Sequence, residues 1–532
     1  MGQKNERMDG ESPSPEFQGQ PNSRGPDKAQ KGNGAVPKFN KKNAQPDFTD
    51  EINLTNSMIV SESTDPNKDY KKLNCLGDSQ GTAVYRVQHN ITEDIRAMKV
   101  IKKSKADQAR AEENSKEDDE IKNEINVLRS LDHPNILKIF EFFSSKDSYL
   151  MVTEFCQGGD LFQEIVDRGP FKEKYCAFVT YQILSAINHC HIMNIIHRDL
   201  KPENVLIVDK DKNELPRIKI CDFGTSKIFE KGKAERKAVG SPYYMAPEIL
   251  SNNYNEKCDL WSCGVILYIL LAARPPFCGE DDDEIINSVK SGRYDLTSPP
   301  FNKVSKMCLD LLKKLLTVDP NKRISAQEAL NHKWFRDNTS KELFNNIKDQ
   351  KTIKTLIHNL KTYKRDSIIQ EVALAYLVHN FPQMKEVVTA NKLFNQIDLD
   401  GDGKINKNDL LKGLRTKTES KALEKDIDKI YRNIDMDNNG YIEYEEFVRA
   451  AVSKEKFVDD NILRFAFKYF DKDNKNEITK KDLADVFEQG ISDKSKMETA
   501  LDTIIKEVDE NGDGKISIGE VISFLGSLFK GQ

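Results

Sequence analysis

The chain has 532 residues, a length that predicts three or four domains rather than one. Its formal net charge of −5 is small for this size and argues against a dedicated nucleic-acid binder, which would be strongly basic. The longest apolar run, Val265–Ala273, is too short to span a bilayer, and no apolar stretch near Met1 indicates a secretory signal. We therefore expect a soluble globular protein with some polar linker.

All nine cysteines fall between Cys75 and Cys308, their number is odd, and none forms a C-x-x-C pair. This pattern predicts free thiols in a reducing compartment and argues against a disulfide framework or a zinc site. We therefore expect a cytoplasmic protein in which each cysteine has a packing role.

Residues 1–69 are rich in Pro, Gly, Asn, Lys and Ser and hold few aromatic residues. Such a segment cannot bury enough apolar surface to offset its ordering entropy, so we expect it to be disordered. Its start matches half of an N-myristoylation signal at Gly2, because Glu6 stands where Ser or Thr is usual. Membrane association through Gly2 is therefore an alternative, and one acyl chain would anchor the protein only marginally.

From Tyr70 the pattern is that of a folded domain. Short β-type runs at Ala83–Gln88 and Ile95–Ile101 precede helical patterns that continue to Phe335. This order predicts an α+β domain over 70–335, with a small sheet-rich lobe and a larger helical lobe. Residues 336–387 read as lysine-rich amphipathic helix, and residues 388–532 form an internal all-α repeat.

Residues suited to phosphoryl transfer follow one another along this domain. Lys99 lies on a predicted strand, where its ammonium can neutralise phosphate oxygens, and Glu124 on a helix can hold it in place. The segment His197–Asn204 then supplies Asp199, the candidate base or orienter for a substrate hydroxyl. Its Lys201 can stabilise the transferring phosphoryl group. The two candidate Mg²⁺ ligands are Asn204 and Asp222.

Each of these short patterns is weak alone, but their order and spacing together resemble eukaryotic-type protein kinases over 70–335. The resemblance implies a bilobal kinase fold and Mg²⁺ with ATP as cofactors. Lys201 and the following Pro202-Glu203 are similar to the serine/threonine kinases, and Glu203 is a candidate for reading a basic residue before the target hydroxyl. The implied ATP-binding residues comprise a base sandwich, a gatekeeper (Thr153), a hinge, the Lys99–Glu124 pair and two acidic positions: Leu76, Gly77, Val84, Ala97, Lys99, Glu124, Thr153, Glu154, Cys156, Asp160, Glu203 and Leu206.

Further positions match scaffold residues of that family. Asp259 and Trp261 correspond to a buried helix that supports the catalytic loop, and Glu248 and Arg323 to a structural ion pair. The glycine-rich loop departs from the pattern, because Ser79 and Thr82 stand at two of its three glycine positions. We expect this change to affect the geometry or speed of ATP binding.

The activation segment also departs from the usual pattern. From Thr225 to Gly240 the only hydroxyls are those of Thr225 and Ser226, beside the Asp-Phe-Gly sequence Asp222-Phe223-Gly224. No hydroxyl in mid-segment can take the phosphate that Arg198 would bind, so Glu230 or Glu235 could supply a fixed negative charge. We expect activity without phosphorylation of this loop by an upstream kinase.

Four twelve-residue loops, 398–409, 435–446, 471–482 and 509–520, repeat at spacings of 37, 36 and 38 residues. Calcium takes six to eight oxygens, and an EF-hand loop supplies them from positions 1, 3, 5, 7, 9 and 12, with Gly at 6. Apolar residues before each loop and Ile at position 8 of each predict paired helix–loop–helix units. The expected ligands in the three better loops are Asp398, Asp400, Asp402, Lys404 (backbone), Asn406 and Asp409; Asp435, Asp437, Asn439, Tyr441 (backbone), Glu443 and Glu446; and Asp509, Asn511, Asp513, Lys515 (backbone), Ser517 and Glu520.

The third loop is damaged. It has Asp471, Asp473 and Asp482, but Lys475 replaces an oxygen ligand and Asn476 replaces the glycine. We expect it to be a structural hand with weak or no metal. The first loop ends in Asp409, one methylene shorter than Glu, so the second and fourth loops should bind Ca²⁺ best.

The repeat resembles calmodulin, and a kinase followed by such a domain resembles the calcium-dependent protein kinases of plants and protists. The resemblance implies that residues 336–387 form an autoinhibitory junction, which the sensor grips when calcium binds. Basic and apolar residues alternate at Ile353–Ile357 and Leu360–Lys364, as suits a calmodulin-type groove; the alternative is a plain linker helix.

Two other functions remain open from the sequence. One is a calcium-binding scaffold with an inactive kinase domain, which the irregular glycine loop favours and the complete catalytic set opposes. The other is a kinase whose EF-hands only bind a partner. The expected partners are ATP, protein substrates with Ser or Thr near basic residues, and the chain's own junction helix; nucleic acid is not expected.

Overall fold

The computed structural model describes residues 60–62, 66–79, 81–103, 116–145, 147–209, 215–229, 235, 240–339, 350–364, 367–415, 423–435, 439–471, 475–487 and 494–530. Within these ranges no helix combines the length and the apolar character that a membrane crossing requires. The described residues form two large apolar cores, one in the region up to Phe335 and one in the region from Leu356 onward, and a small third core inside the N-terminal sheet.

The N-terminal lobe is a six-stranded sheet with strand order β1-β5-β6-β4-β3-β2. Alternate residues such as Val87 and Met98 are buried, as expected for a sheet with one covered face. Gly81, at the β2–β3 turn, has φ +86°, a conformation that glycine takes without strain. The strands are β1 Val60–Glu62, β2 Tyr70–Ser79, β3 Thr82–His89, β4 Ile95–Lys102, β5 Ile139–Ser144 and β6 Ser148–Glu154, and helix α1 Lys116–Ser130 lies between β4 and β5.

The sheet corrects one boundary. Residues 60–62, within the segment expected to be disordered, form β1 and pair in parallel with β5, with Val60 opposite Glu141. A 3-10 turn at Pro66–Lys68 also precedes Tyr70. The backbone donors and acceptors at the free edge of β5 stabilise a strand that is too short to have a recognisable pattern of its own.

The second lobe is helical. Helix α4 is apolar on every side and lies in the centre of the lobe, where Trp261 and most of its neighbours are buried. The expected α+β class is confirmed. The elements are β7 Gly159–Asp160, α2 Leu161–Arg168, α3 Glu173–Ile192, β8 Ile195–Ile196, β9 Val205–Ile207, β10 Ile218–Ile220, β11 Lys227–Ile228, α4 Lys257–Ala272, α5 Asp282–Ser291, α6 Lys306–Leu315, α7 Ala326–Leu330 and α8 Lys333–Thr339.

The C-terminal region contains four helix–loop–helix units that pair through short antiparallel strands. Ile405 lies opposite Ile442, and Ile478 opposite Ile516, so position 8 of each loop makes the expected β-contact. The elements are α9 Gln350–Thr362, α10 Ile368–Asn380, α11 Lys385–Ile397, β12 Lys404–Ile405, α12 Lys407–Arg415, α13 Leu423–Ile434, β13 Ile442–Glu443, α14 Tyr444–Ala451, α15 Asp460–Phe470, β14 Glu477–Ile478, α16 Lys480–Phe487, α17 Lys494–Val508, β15 Ile516–Ser517 and α18 Ile518–Lys530.

Helices α9 and α10, which precede the first helix–loop–helix unit, belong to the core of this region. Leu356, Leu360 and Tyr363 of α9 and its C-terminal end are buried with apolar residues of the helix–loop–helix units. The amide of Asn359 donates to the carbonyl of Ala451, at the end of α14, over 2.8 Å. Helix α10 is buried along nearly its whole length. Helices α9 and α10 of the expected junction are therefore part of the apolar core of the C-terminal region in this structure.

Candidate functional site

A lysine and two carboxylates meet where β4 faces α1 and the Asp-Phe-Gly sequence. The ammonium of Lys99 lies 3.4 Å from Glu124 and 3.7 Å from Asp222. Burial opposes the charge on Lys99, but Glu124 and then Asp222 outweigh it and raise the pKa of the lysine. Lys99 is thus a fixed cation beside a half-exposed carboxylate, an arrangement that can bind a phosphate chain together with a divalent metal.

The catalytic loop holds Asp199 by several hydrogen bonds. Its carboxylate accepts from Lys201 over 2.7 Å, and from both the amide and the hydroxyl of Ser241 over 3.1 and 3.0 Å. The side-chain amide of Asn204 donates to the carbonyl of Asp199 over 2.8 Å. The amide of Cys221, the neighbour of Asp222, donates to the carbonyl of Asn204 over 3.0 Å, so the four predicted catalytic residues lie in one region. Ser241 belongs to the same hydrogen-bond network and was not predicted from the sequence.

Asp259 fixes the backbone that carries this loop. Its carboxylate accepts from the amides of His197 and Arg198, each over 3.0 Å, and from His191 over 2.9 Å. Burial works to raise the pKa of Asp259, but the hydrogen bond and the charge of His191 outweigh it and lower that pKa. Arg198 can therefore keep φ at +71°, an unusual value for a residue with a side chain.

The activation segment corrects one expectation about Arg198. Its guanidinium donates to the carbonyls of Thr225 and Ser226 and to the hydroxyl of Tyr254. Glu235 instead forms an ion pair with Lys227, so it does not supply the charge for Arg198. The fold places Lys227 of β11, and not Arg198, within ion-pair distance of Glu235. Glu230 lies outside the described residues.

The strand register brings together residues expected to line the ATP site. Val84 lies opposite Lys99, and Ala97 lies opposite Thr153, whose side chain is buried at the end of β6. Leu206 lies on β9, opposite Lys219 of β10. These positions remain predictions as ATP contacts.

Two acidic positions of the predicted ATP site have additional local roles. Asp160 caps α2 by accepting from the amide of Gln163 over 2.8 Å. The carboxylate of Glu154 pairs with Lys219 over 2.8 Å, so its contribution to the hinge is through the backbone. Leu76 is exposed, and a Cβ atom placed on Gly77 meets no atom within 4 Å among the described residues, which leaves the glycine loop open.

The two cysteines near this site are unreactive by environment. Burial and the charge of Glu154 raise the pKa of the Cys156 thiol, and burial and Asp222 raise that of Cys221 to about 12. A thiol that stays protonated is a poor nucleophile. The packing role expected for these cysteines fits this chemistry.

The first predicted calcium loop is compact. The carboxylates of Asp398, Asp400 and Asp402 offer oxygens that lie within 4.8 Å of one another. Burial and Asp400 raise the pKa values of Asp402 and Asp409 to about 6. Crowded, partly buried carboxylates with positive φ at Gly403 fit a divalent cation, because the cation offsets their repulsion.

The last ligand position differs between the first and fourth loops. Glu520 reaches across its loop, and its carboxylate accepts from the amides of Glu510 and Ser517 over 3.0 and 2.7 Å. Asp409 accepts locally, from the amide of Asn406 over 3.3 Å. The shorter side chain therefore spans less of the first loop, as its chemistry predicts.

The second loop has the expected geometry where it is described. The amide of Gly440 donates to Asp435 over 3.2 Å, the amide of Tyr441 donates to Asn439 over 2.9 Å, and Glu446 caps α14. Asp437 and Asp473, predicted ligands of the second and third loops, lie outside the described residues.

The third loop keeps EF-hand backbone contacts where it is described, although position 5 has no ligand oxygen. The amides of Lys475 and Asn476 donate to Asp471 over 3.0 and 2.8 Å, and Asn476 adopts φ +60° in the place of glycine. Asp482 accepts from the amide of Thr479 over 2.8 Å. This loop is therefore shaped as a hand although a lysine occupies position 5.

Comparison with known proteins agrees with these two sites. Residues 70–335 match the protein kinase domain, and residues 389–452 and 460–525 each match the EF-hand domain pair. The chain is 37% identical to calcium-dependent protein kinase 4 of Plasmodium berghei (strain Anka), over 86% of both chains. It is 38% identical to calcium-dependent protein kinase 4 of Plasmodium falciparum (isolate 3D7), over 87% of both chains, and 34% identical to calcium-dependent protein kinase 19 of Oryza sativa subsp. japonica, over 86% of this chain and 84% of that one.

The chain belongs to the calcium-dependent protein kinase family. It is a calcium-activated serine/threonine protein kinase that uses Mg²⁺ with ATP, acts on protein substrates and binds Ca²⁺ through its EF-hands. Nothing in these similarities supports the alternative of an inactive scaffold. Asn204 and Asp222 would hold Mg²⁺, which neutralises phosphate charge during transfer.

In this calcium-dependent protein kinase, the kinase domain and the EF-hand sensor share a buried polar interface. The ammonium of Lys138 lies 2.6 Å from Glu445, which also accepts from His379 over 2.8 Å. The amide of Glu445 donates to Asp132 over 2.7 Å. Burial works to raise the pKa of Glu445, but Lys138 and then His379 outweigh it and lower that pKa, so the glutamate is a carboxylate here.

A second set of contacts surrounds Arg96, the buried residue three positions before Lys99. Its guanidinium donates to Asn380 over 3.3 Å and lies 4.4 Å from the ring centroid of Phe140 and 5.8 Å from that of Phe465. These interface residues were not predicted from the sequence. The signal available was weak, because Arg96 is one of three basic residues in its strand and Lys138 is a single basic residue beside an apolar run.

The sensor also touches the helical lobe. The hydroxyl of Ser185 donates to the carbonyl of Gly401 over 2.8 Å, and the side-chain amide of Gln327 donates to the carbonyl of Asp400 over 3.2 Å. The sensor of this kinase therefore contacts both lobes of the catalytic domain.

Proposed function

We propose that calcium activates this kinase by transferring the junction, residues 336–387, from the catalytic domain into the sensor. The observation that carries the proposal is the burial of Leu356, Leu360 and Tyr363 among the EF-hand helices. Apolar residues at helical spacing cannot lie in the sensor and cover another surface at the same time. A segment with two such alternatives is a two-state switch.

Calcium would bias this switch through the shape of the EF-hands. In sensor EF-hands, binding opens the helix pair and exposes an apolar groove, which then holds an amphipathic helix. Helices α9 and α10 provide that helix here. The structure corresponds to the released state in this scheme, since both helices lie in the sensor.

The sensor would also favour the active arrangement of the catalytic lobes. It contacts the sheet lobe through Lys138 and Arg96, and the helical lobe through Ser185. Because the sensor contacts both lobes, it would restrict the rotation of one lobe relative to the other. Lys99 belongs to the sheet lobe and Asp199 to the helical lobe, so this rotation would change their relative positions. Restriction of this kind lowers the entropic cost of assembling the site.

Substrate selection is proposed to depend on Glu203, which is exposed near the end of the catalytic segment His197–Asn204. Its carboxylate would attract a basic side chain before the target Ser or Thr. The hydroxyls of Thr225 and Ser226 donate to the backbone of the catalytic and Asp-Phe-Gly segments, which supports activity without an added phosphate at either residue.

A cytoplasmic location is proposed from the free-thiol pattern, with weak membrane contact if Gly2 carries a myristoyl chain. Fractionation of the wild-type protein and Gly2→Ala would test this. Equal distribution of the two proteins would remove the lipid from the proposal.

The central test is phosphate transfer from Mg-ATP to a basic serine peptide by the purified chain, with calcium and with chelator. Activity should require calcium and should fall at least 1,000-fold in Asp199→Asn, on the order expected when a catalytic group is removed. Glu203→Gln should lose preference for the basic peptide over a neutral one and keep its calcium dependence. Equal activity of the wild type in calcium and in chelator would refute the switch.

A further inference from the structure

The first calcium loop lies in a pocket of the kinase domain that is built largely on one helix face. Tyr181, Ser185 and His189 recur every four residues on α3 and so share one side of it. A Cβ atom placed on Gly401 would lie 2.6 Å from the hydroxyl oxygen of Tyr181, and one on Gly403 would lie 3.1 Å from Nδ1 of His189. The loop backbone therefore approaches this helix as closely as glycine permits.

Directed hydrogen bonds hold the loop in the pocket. Ser185 donates to the carbonyl of Gly401 over 2.8 Å, and Gln327 to the carbonyl of Asp400 over 3.2 Å. His133 accepts at Nδ1 from the amide of Asn135, so its Nε2 carries a proton and donates to Ser185 over 3.1 Å. That bond orients the Ser185 hydroxyl toward the loop.

The other loops do not share this contact. A Cβ atom placed on Gly440, Gly512 or Gly514 meets no atom within 4 Å in the part of the chain that the structure describes. Gly401 and Gly512 occupy the same position 4 of their loops, with φ +69° and +75°. Only the first of these two equivalent glycines is packed against the kinase domain.

Docking and cation binding are linked by charge. Asp398 is 4% exposed, and its carboxylate lies with those of Asp400 and Asp402 within 4.8 Å. Removing water from three neighbouring carboxylates is costly unless a cation compensates them. The loop therefore enters its pocket more favourably when it holds calcium, and a loop already in the pocket is already ordered for calcium.

We propose that the pocket formed by Tyr181, Ser185, His189 and Gln327 is a docking site for the first calcium loop, and that docking raises the calcium affinity of this loop but not that of the fourth loop. The proposal rests on the calcium switch described above. It also gives a reason why a loop that ends in the short Asp409 can serve as a sensor. Because coupling is reciprocal, calcium in this loop strengthens its hold on the kinase domain by the same factor.

The test is hydrogen–deuterium exchange of the full chain across a calcium titration, read separately on peptides that cover 398–409 and 509–520. Ser185→Ala/Gln327→Ala leaves both loops intact in sequence. It should move the calcium midpoint of the first loop about tenfold higher and leave that of the fourth loop unchanged. Ser291→Ala is the matched control, because its hydroxyl donates within its own helix to the carbonyl of Ser288. An unchanged first-loop midpoint, or equal shifts in both loops, would overturn the proposal.

A second pair of variants tests docking independently, in case Ser185→Ala/Gln327→Ala misfolds. Gly401→Ala and Gly512→Ala introduce the same strain at equivalent positive φ values, but only Gly401→Ala meets the kinase domain. The midpoint of the first loop in Gly401→Ala should rise at least fivefold more than that of the fourth loop in Gly512→Ala. Equal rises would contradict docking.

The two proposals fail separately. Equal activity of the wild type in calcium and in chelator would refute the switch, whatever the calcium midpoints of hydrogen exchange in the two loops are. Calcium-dependent activity with an unmoved first-loop midpoint would refute the docking site alone.

Discussion

The ammonium of Lys138 lies 2.6 Å from the carboxylate of Glu445, and both side chains are less than 8% exposed. Lys138 precedes β5 of the kinase domain, and Glu445 lies at the start of α14 in the second EF-hand. Removing one partner of a buried pair leaves the other charge uncompensated, whereas replacing both costs much less. The sensor is therefore tied to the sheet lobe by a contact that needs both residues.

Lys138→Met should weaken sensor docking by about 3–5 kcal/mol, because Glu445 then loses its principal counter-charge. We expect the calcium concentration for half-maximal activity to rise at least tenfold. Lys138→Met/Glu445→Leu should recover part of that loss, and the calcium dependence of peptide phosphorylation measures both. Calcium binding by the second loop must be measured in the double variant, since Glu446 is a predicted ligand. Equal effects of the single and double variants would show that the pair does not stabilise docking.

The glycine loop offers a comparison of two glycines. Gly81→Ala forces an alanine to φ +86°, which should cost about 1–2 kcal/mol, whereas the Cβ of Gly77→Ala meets open space. We expect faster hydrogen exchange of the peptide over 76–84 in Gly81→Ala than in Gly77→Ala, both measured without nucleotide. Similar exchange in the two variants would mean that the turn at Gly81 is not strained by a side chain.

His89 predicts a pH dependence of stability. Burial, then the charges of Arg96 and Lys468, lower the pKa of His89 to about 3, and its Nδ1 accepts from the amides of Ile91 and Thr92. Between this value and the ordinary pKa near 6.5, the unfolded chain binds a proton that the folded chain excludes. The contribution of His89 to the free energy of unfolding is therefore fully present above pH 6.5. It decreases as the pH falls below this value, and about 1.4 kcal/mol of it is lost at pH 5.5.

Thermal unfolding at pH 7.5 and 5.5 measures this effect against His89→Asn. Asparagine keeps an acceptor near the position of Nδ1 but does not titrate. Between pH 7.5 and 5.5, the free energy of unfolding of the variant should therefore fall by about 1.4 kcal/mol less than that of the wild type. The other histidines are common to both proteins and cancel in the comparison. Parallel losses in the two proteins would contradict the role of His89.

The third EF-hand should be repairable. Its backbone already wraps around Asp471, so Lys475→Asp/Asn476→Gly should add one calcium per chain, measured by calorimetric titration. Asn476→Gly alone relieves the φ of +60° without adding a ligand and should leave the stoichiometry unchanged. Four calcium ions bound to the wild type would show that Lys475 does not block the loop.

The catalytic set and the calcium loops could be predicted because their chemistry restricts residue type at fixed spacing. Lys99, Glu124 and Asp222 meet as the phosphoryl-transfer pattern requires, and position 8 of each EF-hand pairs as expected. Such constraints are local in sequence or belong to one repeated unit.

The interface could not be predicted, since its partners are distant in the chain and have no periodic pattern. Ser185 looks like an ordinary helix residue until Gly401 is brought to it, 216 positions later. The predicted partner of Glu235 was wrong for a related reason. Opposite charge suggested Arg198, but the fold of the activation segment places Lys227 against Glu235. Residues 60–62 were missed because three residues form a strand only against the existing edge of β5.

The bond between Arg96 and Asn380 joins residues 284 positions apart, and that between Asp132 and Glu445 joins residues 313 apart. The kinase domain ends at Phe335, and at a synthesis rate of roughly 5–20 residues per second the ribosome needs roughly 5–20 s more to reach Glu445. During that time a newly folded kinase domain presents the surface around Arg96 and Phe140 without its cover. Synthesis that stops before the sensor is complete therefore releases an enzyme with an uncovered aromatic and basic face, a surface suited to unwanted association.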